Sequence, residues 1–202
     1  MCGIAGIYQP RQSIEARQDF AARMNNAIRH RGPDGEGMWS ADTLTLAHRR
    51  LAIIDLSDAG AQPMASAAGD WVISFNGEIY NYTDVRAELQ ANWRGHSDTE
   101  VICEALQQWG FEATLQKLNG MFALAAYHRP TGELFLARDR LGEKPVYYAH
   151  HNHGLAFASE LIALMQLPDL PREVDPLAAN ALLMHRYIPA PLCILKSVRK
   201  LP

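Results

Sequence analysis

Strand-like runs gather at both ends of this chain and a helical stretch separates them, an order that restricts the fold more than any other feature of the sequence. Residues 3 to 9 are small and β-branched and stop at Pro10, which reads as a short buried strand. Residues 14 to 28 carry Phe20, Met24, Ala27 and Ile28 at helical spacing, and the turn-forming Arg31-Gly32-Pro33-Asp34-Gly35 ends them. Strands are expected at 37 to 40, 43 to 49 and 71 to 75, the last ending at Asn76-Gly77, a dipeptide suited to a tight turn. Helical patterns dominate from about 83 to 118. Ser97 and Glu100 have capping-box spacing there, and Val101, Ile102, Ala105, Leu106 and Trp109 line one face as far as Gly110. Strands return at 121 to 127, 133 to 137, 146 to 149 and 155 to 158. The expectation is an α+β fold in which two mainly antiparallel sheets pack together and are covered by helices.

With 202 residues, 48% of them hydrophobic, the chain can bury one substantial core. A net charge of -3 supplies no basic footprint, so neither nucleic acid nor an anionic membrane is expected as a partner, and a small polar metabolite fits better. Three cysteines, at positions 2, 103 and 193, are an odd number in a chain too large to need staples. A reducing compartment, the cytoplasm, is therefore expected. The start has no basic or long apolar leader segment, and no apolar run approaches membrane-spanning length.

Cys2 follows the initiator methionine directly, and cysteine is small enough for methionine removal to be expected. The thiol and a free α-amine would then share one residue. An amine titrating near pH ~8 is matched to activating a thiol of pKa ~8.5. Cys2-Gly3-Ile4-Ala5-Gly6 is followed in order by further blocks. These are His30-Arg31-Gly32-Pro33-Asp34-Gly35, Leu46-Ala47-His48-Arg49-Arg50-Leu51-Ala52-Ile53-Ile54-Asp55, Phe75-Asn76-Gly77-Glu78-Ile79-Tyr80-Asn81, Ser97-Asp98-Thr99-Glu100 and Ala137-Arg138-Asp139-Arg140-Leu141-Gly142. Together they resemble the class II glutamine amidotransferase domain, an N-terminal-nucleophile hydrolase, and are most similar to that of the glutamine-hydrolysing asparagine synthetases.

The resemblance implies a four-layer αββα sandwich and the hydrolysis of L-glutamine through a γ-glutamyl thioester on Cys2. It implies that Asn76 and Gly77 form the oxyanion hole, an asparagine side-chain N–H and a backbone N–H converging on one point. Arg50 matches the residue that forks onto the substrate α-carboxylate, with Leu51, Ala52, Ile53 and Ile54 shaping the wall. Asp98 matches the ammonium-binding carboxylate, with Glu78 and Gly77 as further contacts. Ser97 then keeps the helix cap. No metal or cofactor is expected in this domain. The family's ATP and Mg²⁺ belong to a C-terminal synthetase domain, and no Ser-Gly-Gly-type pyrophosphatase loop occurs in these residues. On this reading residues 2–165 are the amidotransferase domain. Residues 166–202 are a connector and the start of the interface to a synthetase domain of the same polypeptide. Within them, Asp175-Pro176 is a helix start and the following residues 177 to 184 are apolar nearly all round. A homodimer is compatible with the sequence. Two alternatives stay open: a glutaminase serving another ammonia acceptor, and a silent regulatory module of the same fold.

Other residues are read as structural. Arg49 should point away from Arg50 and be solvated. His150, His151 and His153 should lie in a polar turn rather than bind metal. Cys103 should be core, His30 and Arg31 should build the pocket wall, and Asp139 and Arg140 should form a buried pair.

Overall fold

The structure, a computed structural model, describes residues 1–151 and 153–202. The elements in chain order are β1 (Gly3–Tyr8), α1 (Ile14–Ala27), β2 (Gly35–Ser40), β3 (Leu44–Arg50), β4 (Met64–Ala65), β5 (Trp71–Ile79), α2 (Tyr82–Glu88), α3 (Asp98–Trp109), α4 (Phe111–Lys117), β6 (Gly120–His128), β7 (Glu133–Arg138), β8 (Tyr147–His151), β9 (Gly154–Ala158), α5 (Leu161–Leu164), α6 (Pro176–His185) and β10 (Arg199–Lys200). A six-stranded sheet has the order β10-β8-β9-β1-β3-β2, and a four-stranded sheet has the order β4-β5-β6-β7.

Three apolar layers make this a four-layer sandwich. Ala5, Ile7 and Ala47 pack with Met24 of α1 and Leu164 of α5 on the outer face of the six-stranded sheet. Ile73, Phe75, Leu124 and Ala126 pack with Ile102 and Leu106 of α3 on the outer face of the other. Between the sheets, Ile4, Leu44 and Leu46 meet Val72, Ala123 and Ala125. Central strands thus bury both faces, which is why they read as continuous apolar runs. Strand alternation puts Cys2 in line with Ile4, His48 and Arg50 in line with Leu44 and Leu46, and Asn76 in line with Val72 and Ser74. All of these rows run through the inter-sheet layer.

Several expectations need correction. Asn76-Gly77 is not a turn: β5 continues to Ile79, with Asn76 opposite Ala123, Gly77 opposite Phe122 and Ile79 opposite Gly120. Ladder hydrogen bonds outweigh local turn preference here. Gly77 is not among the glycines with positive φ. Glycine is required for space, because a Cβ there would overlap the Met121 carbonyl and lie 2.7 Å from the Phe122 Cα. The capping box is half formed: the Ser97 hydroxyl accepts from the Glu100 N–H, but the Glu100 carboxylate turns to the N–H groups of Arg94 and Gly95. Arg49 does point away from the pocket, yet it is not solvated. Its guanidinium donates to the Asn25 carbonyl and pairs with Glu36.

Asp139 and Arg140 are not partners. The Asp139 carboxylate collects N–H groups from Phe122, Leu141, Glu143 and Lys144, whereas Arg140 donates to the Leu118 carbonyl. His150 and His151 belong to β8, and His151 is buried within hydrogen-bond distance of Gln9. The turn expected between β8 and β9 includes Asn152, which lies outside the described residues.

Towards the C-terminus, Cys193, Leu195 and Val198 pack in the α1/α5 layer, and β10 pairs with β8. Helix α6 starts where Asp175 accepts from the Leu177 N–H, with Pro176 at its first position. Ala178 is its buried residue, while Leu177, Leu183 and Met184 are exposed. Among the described residues no helix is long and apolar enough to cross a membrane.

Candidate active site

One end of the inter-sheet layer opens into a pocket. Every residue singled out for substrate or chemistry lines it: Cys2, Arg50, Leu51, Ala52, Ile53, Ile54, Asn76, Gly77, Glu78 and Asp98. Strand ends and one helix start bring them together. Cys2 immediately precedes β1, Arg50 closes β3, Asn76 and Gly77 lie within β5, and Asp98 opens α3.

Cys2 is fixed from several sides. Its Sγ accepts from the Leu51 N–H at 3.3 Å and lies 3.5 Å from the Leu51 carbonyl oxygen. Its carbonyl accepts from Arg31 Nε at 2.8 Å, and the same guanidinium reaches Glu160 at 2.7 Å, which also meets His30 at 3.1 Å. Arg31 thus holds the Cys2 backbone directly and His30 meets only Glu160, and neither is among the residues that line the pocket. Burial pushes the Cys2 thiol up, opposed first by the Leu51 N–H and then by the terminal ammonium of Met1. In the Met1-bearing chain the thiol therefore stays protonated at neutral pH.

The opposite wall holds separated charges. Arg50 donates to the Asp55 carbonyl, in a space that a Cβ on Gly60 would fill. The Asp55 carboxylate is held well below the usual range by N–H and O–H donors from His96 and Ser57, and so ties two loops together behind Arg50. Asp98 is buried, and its two oxygens accept from the Ile79 and Thr99 N–H groups at 3.0 and 2.9 Å. Burial outweighs those bonds and pushes its carboxyl up to about 6. A cationic group beside it would restore the carboxylate. Glu78 lies exposed at the rim.

Two donors remain available between these walls. The side-chain nitrogen of Asn76 is buried with no partner among the described residues. Phe75 and Ile79 turn their N–H groups away from β6, to Gln62 and Asp98, so strand alternation puts the Gly77 N–H on that same open side. An anionic oxygen beside Cys2 would meet a buried amide N–H and a backbone N–H. Arg50 and Asp98 are suited to the two charges of an α-amino acid.

Sequence reasoning missed Gln62, Thr99, Met121 and Lys144, which also line the pocket. Gln62 bonds both the Phe75 N–H and the Thr99 hydroxyl, contacts that its loop sequence does not signal. Among the described residues no group of three or more His, Cys, Asp and Glu could hold a metal ion.

Comparisons with known proteins bear on the family and the fold. A family model described as a glutamine amidotransferase domain matches residues 1–202. The chain is 38% identical over 87% of its length to asparagine synthetase [glutamine-hydrolyzing] 3 of Bacillus subtilis, spanning 29% of that protein. It is 39% identical over 82% of its length to asparagine synthetase B [glutamine-hydrolyzing] of Escherichia coli, spanning 30% of it. The chain thus covers about a third of the length of these relatives. The solved glutamine phosphoribosylpyrophosphate amidotransferase of B. subtilis shares the fold, with a TM-score of 0.72 over 87% of this chain and 46% of that one, at 20% identity.

Proposed function

This chain belongs to the glutamine amidotransferase family, and from that premise we propose that it hydrolyses L-glutamine to L-glutamate and ammonia with Cys2 as nucleophile. The observation that carries the proposal is the meeting of the Cys2 thiol, the unpartnered Asn76 amide and the open Gly77 N–H between Arg50 and Asp98. Removal of Met1 frees the Cys2 α-amine, which accepts the thiol proton as Sγ attacks the side-chain carbonyl carbon. The new S–C bond pushes the carbonyl electrons onto oxygen, where Asn76 and Gly77 donate. Collapse expels the amide nitrogen, which leaves as ammonia with the proton held by the α-amine. Water then attacks the thioester, releasing glutamate and restoring the thiol. Arg50 grips the α-carboxylate, and Asp98, with Glu78, grips the α-ammonium.

The acceptor of the ammonia is aspartate, activated with ATP and Mg²⁺ in a C-terminal synthetase domain of the same polypeptide. The apolar residues Leu177, Leu183 and Met184 of α6 support such a partner, since they are 70%, 84% and 70% exposed. The glutaminase chemistry itself uses no metal. The test is to incubate the purified chain with glutamine and to measure glutamate and ammonia together. Equal amounts of both are expected. Cys2→Ala should abolish them while still binding glutamine, and retained turnover in that variant would reassign the nucleophile.

A further inference from the structure

Strand β5 has a paired side and an open side. Among the described residues it pairs with β4 only at Val72 and Ile73, so beyond Ile73 that edge has no strand partner there. The backbone groups of Phe75, Gly77 and Ile79 face it. Buried edge groups must find partners, and side chains supply them. Gln62 Oε1 accepts from the Phe75 N–H at 2.7 Å, His48 Nε2 donates to the Phe75 carbonyl at 3.0 Å, and Asp98 accepts from the Ile79 N–H at 3.0 Å. Between them the Gly77 N–H has no side-chain or loop partner among the described residues.

His48 is costly where it sits. It continues the row of Leu44 and Leu46 in the inter-sheet layer, is fully buried, and leaves its Nδ1 without a partner among the described residues. A leucine would avoid that penalty. What the imidazole adds is a donor reaching from one sheet to the other. Burial lowers its pKa to about 4, so the ring is neutral and the Phe75 carbonyl fixes the proton on Nε2. The Phe75 carbonyl shares its rigid peptide plane with the Asn76 nitrogen. Gln62 pins the preceding plane, and the next one carries the Gly77 N–H.

We propose that His48 is a positioning residue for the oxyanion site. Its inter-sheet bond to the Phe75 carbonyl, braced by Gln62 on the other side, sets the angle at which the Asn76 amide and Gly77 N–H meet the substrate oxygen. The proposal rests on the glutaminase reading above.

The test compares His48→Gln, His48→Asn and His48→Leu. A glutamine amide nitrogen reaches the place of Nε2, whereas that of asparagine stops at the place of Nδ1. Each variant is assayed for glutamine turnover and for inhibition by L-glutamate γ-semialdehyde, whose carbonyl takes up the Cys2 thiol as a tetrahedral thiohemiacetal. His48→Leu and His48→Asn should lower kcat by between about 10-fold and about 10²-fold. They should weaken aldehyde inhibition in proportion, with KM and inhibition by product glutamate changed less than about 3-fold. His48→Gln should recover most of both. Gln62→Met should shift kcat and aldehyde inhibition the same way, an arm independent of how the His48 variants fold. Unchanged kcat in His48→Leu, a glutamine variant no better than asparagine, or KM rising in step with the fall in kcat would overturn the proposal. A parent chain that neither releases ammonia nor binds the aldehyde would overturn the glutaminase reading, and the proposal with it.

Discussion

The six-stranded and four-stranded sheets contribute unlike halves of the pocket. The six-stranded sheet offers Cys2 and Arg50 at strand ends, held by contacts from outside the ladder: Leu51 and Arg31 for one, the Asp55 carbonyl for the other. The four-stranded sheet offers Asn76 and Gly77 from inside a strand that is paired with β6 along its whole length. Donors that stabilise a fleeting charge gain from a site that cannot relax, and a mid-strand position supplies it. On the proposed reading Cys2 must first lose Met1, a step that needs access, and Met1 is 57% exposed. One sheet therefore supplies half-buried groups at its strand ends, and the other supplies donors held within a paired strand.

That contrast breaks first at Asn76. Asn76→Ala should lower kcat by about 10² to 10³ with little change in KM, because its N–H matters most in the transition state. Steady-state glutamine kinetics decide the point, and a rise in KM with kcat unchanged would move Asn76 to the binding side. Arg50→Lys should behave oppositely, raising KM by about 10 to 10² and sparing kcat, since a point charge replaces a fork that grips the ground state too. Identical kinetic profiles for the two variants would erase the distinction between the sheets.

Asp98 sharpens the comparison through pH. Its carboxyl titrates at about 6 in the folded chain because burial disfavours the charge. Between about pH 4, where a free aspartate ionises, and pH 6, the folded chain binds the extra proton. Stability of the ligand-free chain should therefore fall as pH rises through that window, by up to about 3 kcal/mol. Substrate binding runs the other way, since the ammonium needs the carboxylate. KM for glutamine should rise about tenfold per pH unit below 6, and Asp98→Asn should flatten that dependence at a uniformly high KM. A pH-independent KM in the parent chain would remove Asp98 from the ammonium site.

Residues whose chemistry is carried by their own type and block were legible in the sequence. Cys2 after the methionine, Arg50 and Asp98 all reach the pocket, and the buried strands announced themselves as apolar runs. Asn76-Gly77 was legible as part of a block but not as strand, because the ladder that overrides its turn preference is formed with residues 120 to 123. Asp139 was misassigned to Arg140 for a related reason: its partners are backbone N–H groups, one of them on β6. Arg49 shows that alternation gives direction but not exposure, since α1 covers the face it points to. Gln62 and His48 act on the two successive peptide planes that meet at Phe75 of β5, contacts that no local sequence pattern signals.

The central claim, that this domain works through an N-terminal cysteine, is tested most directly by intact-mass and peptide mass spectrometry after treatment with diazo-oxo-norleucine, a glutamine-like electrophile. The expected result is a chain beginning at Cys2 that gains one adduct, on Cys2, and that glutamine protects. Cys103 is fully buried, and burial pushes its thiol beyond the usual range, so it should stay unmodified. An adduct on Cys103 or Cys193, or none on a folded chain that begins at Cys2, would contradict the account.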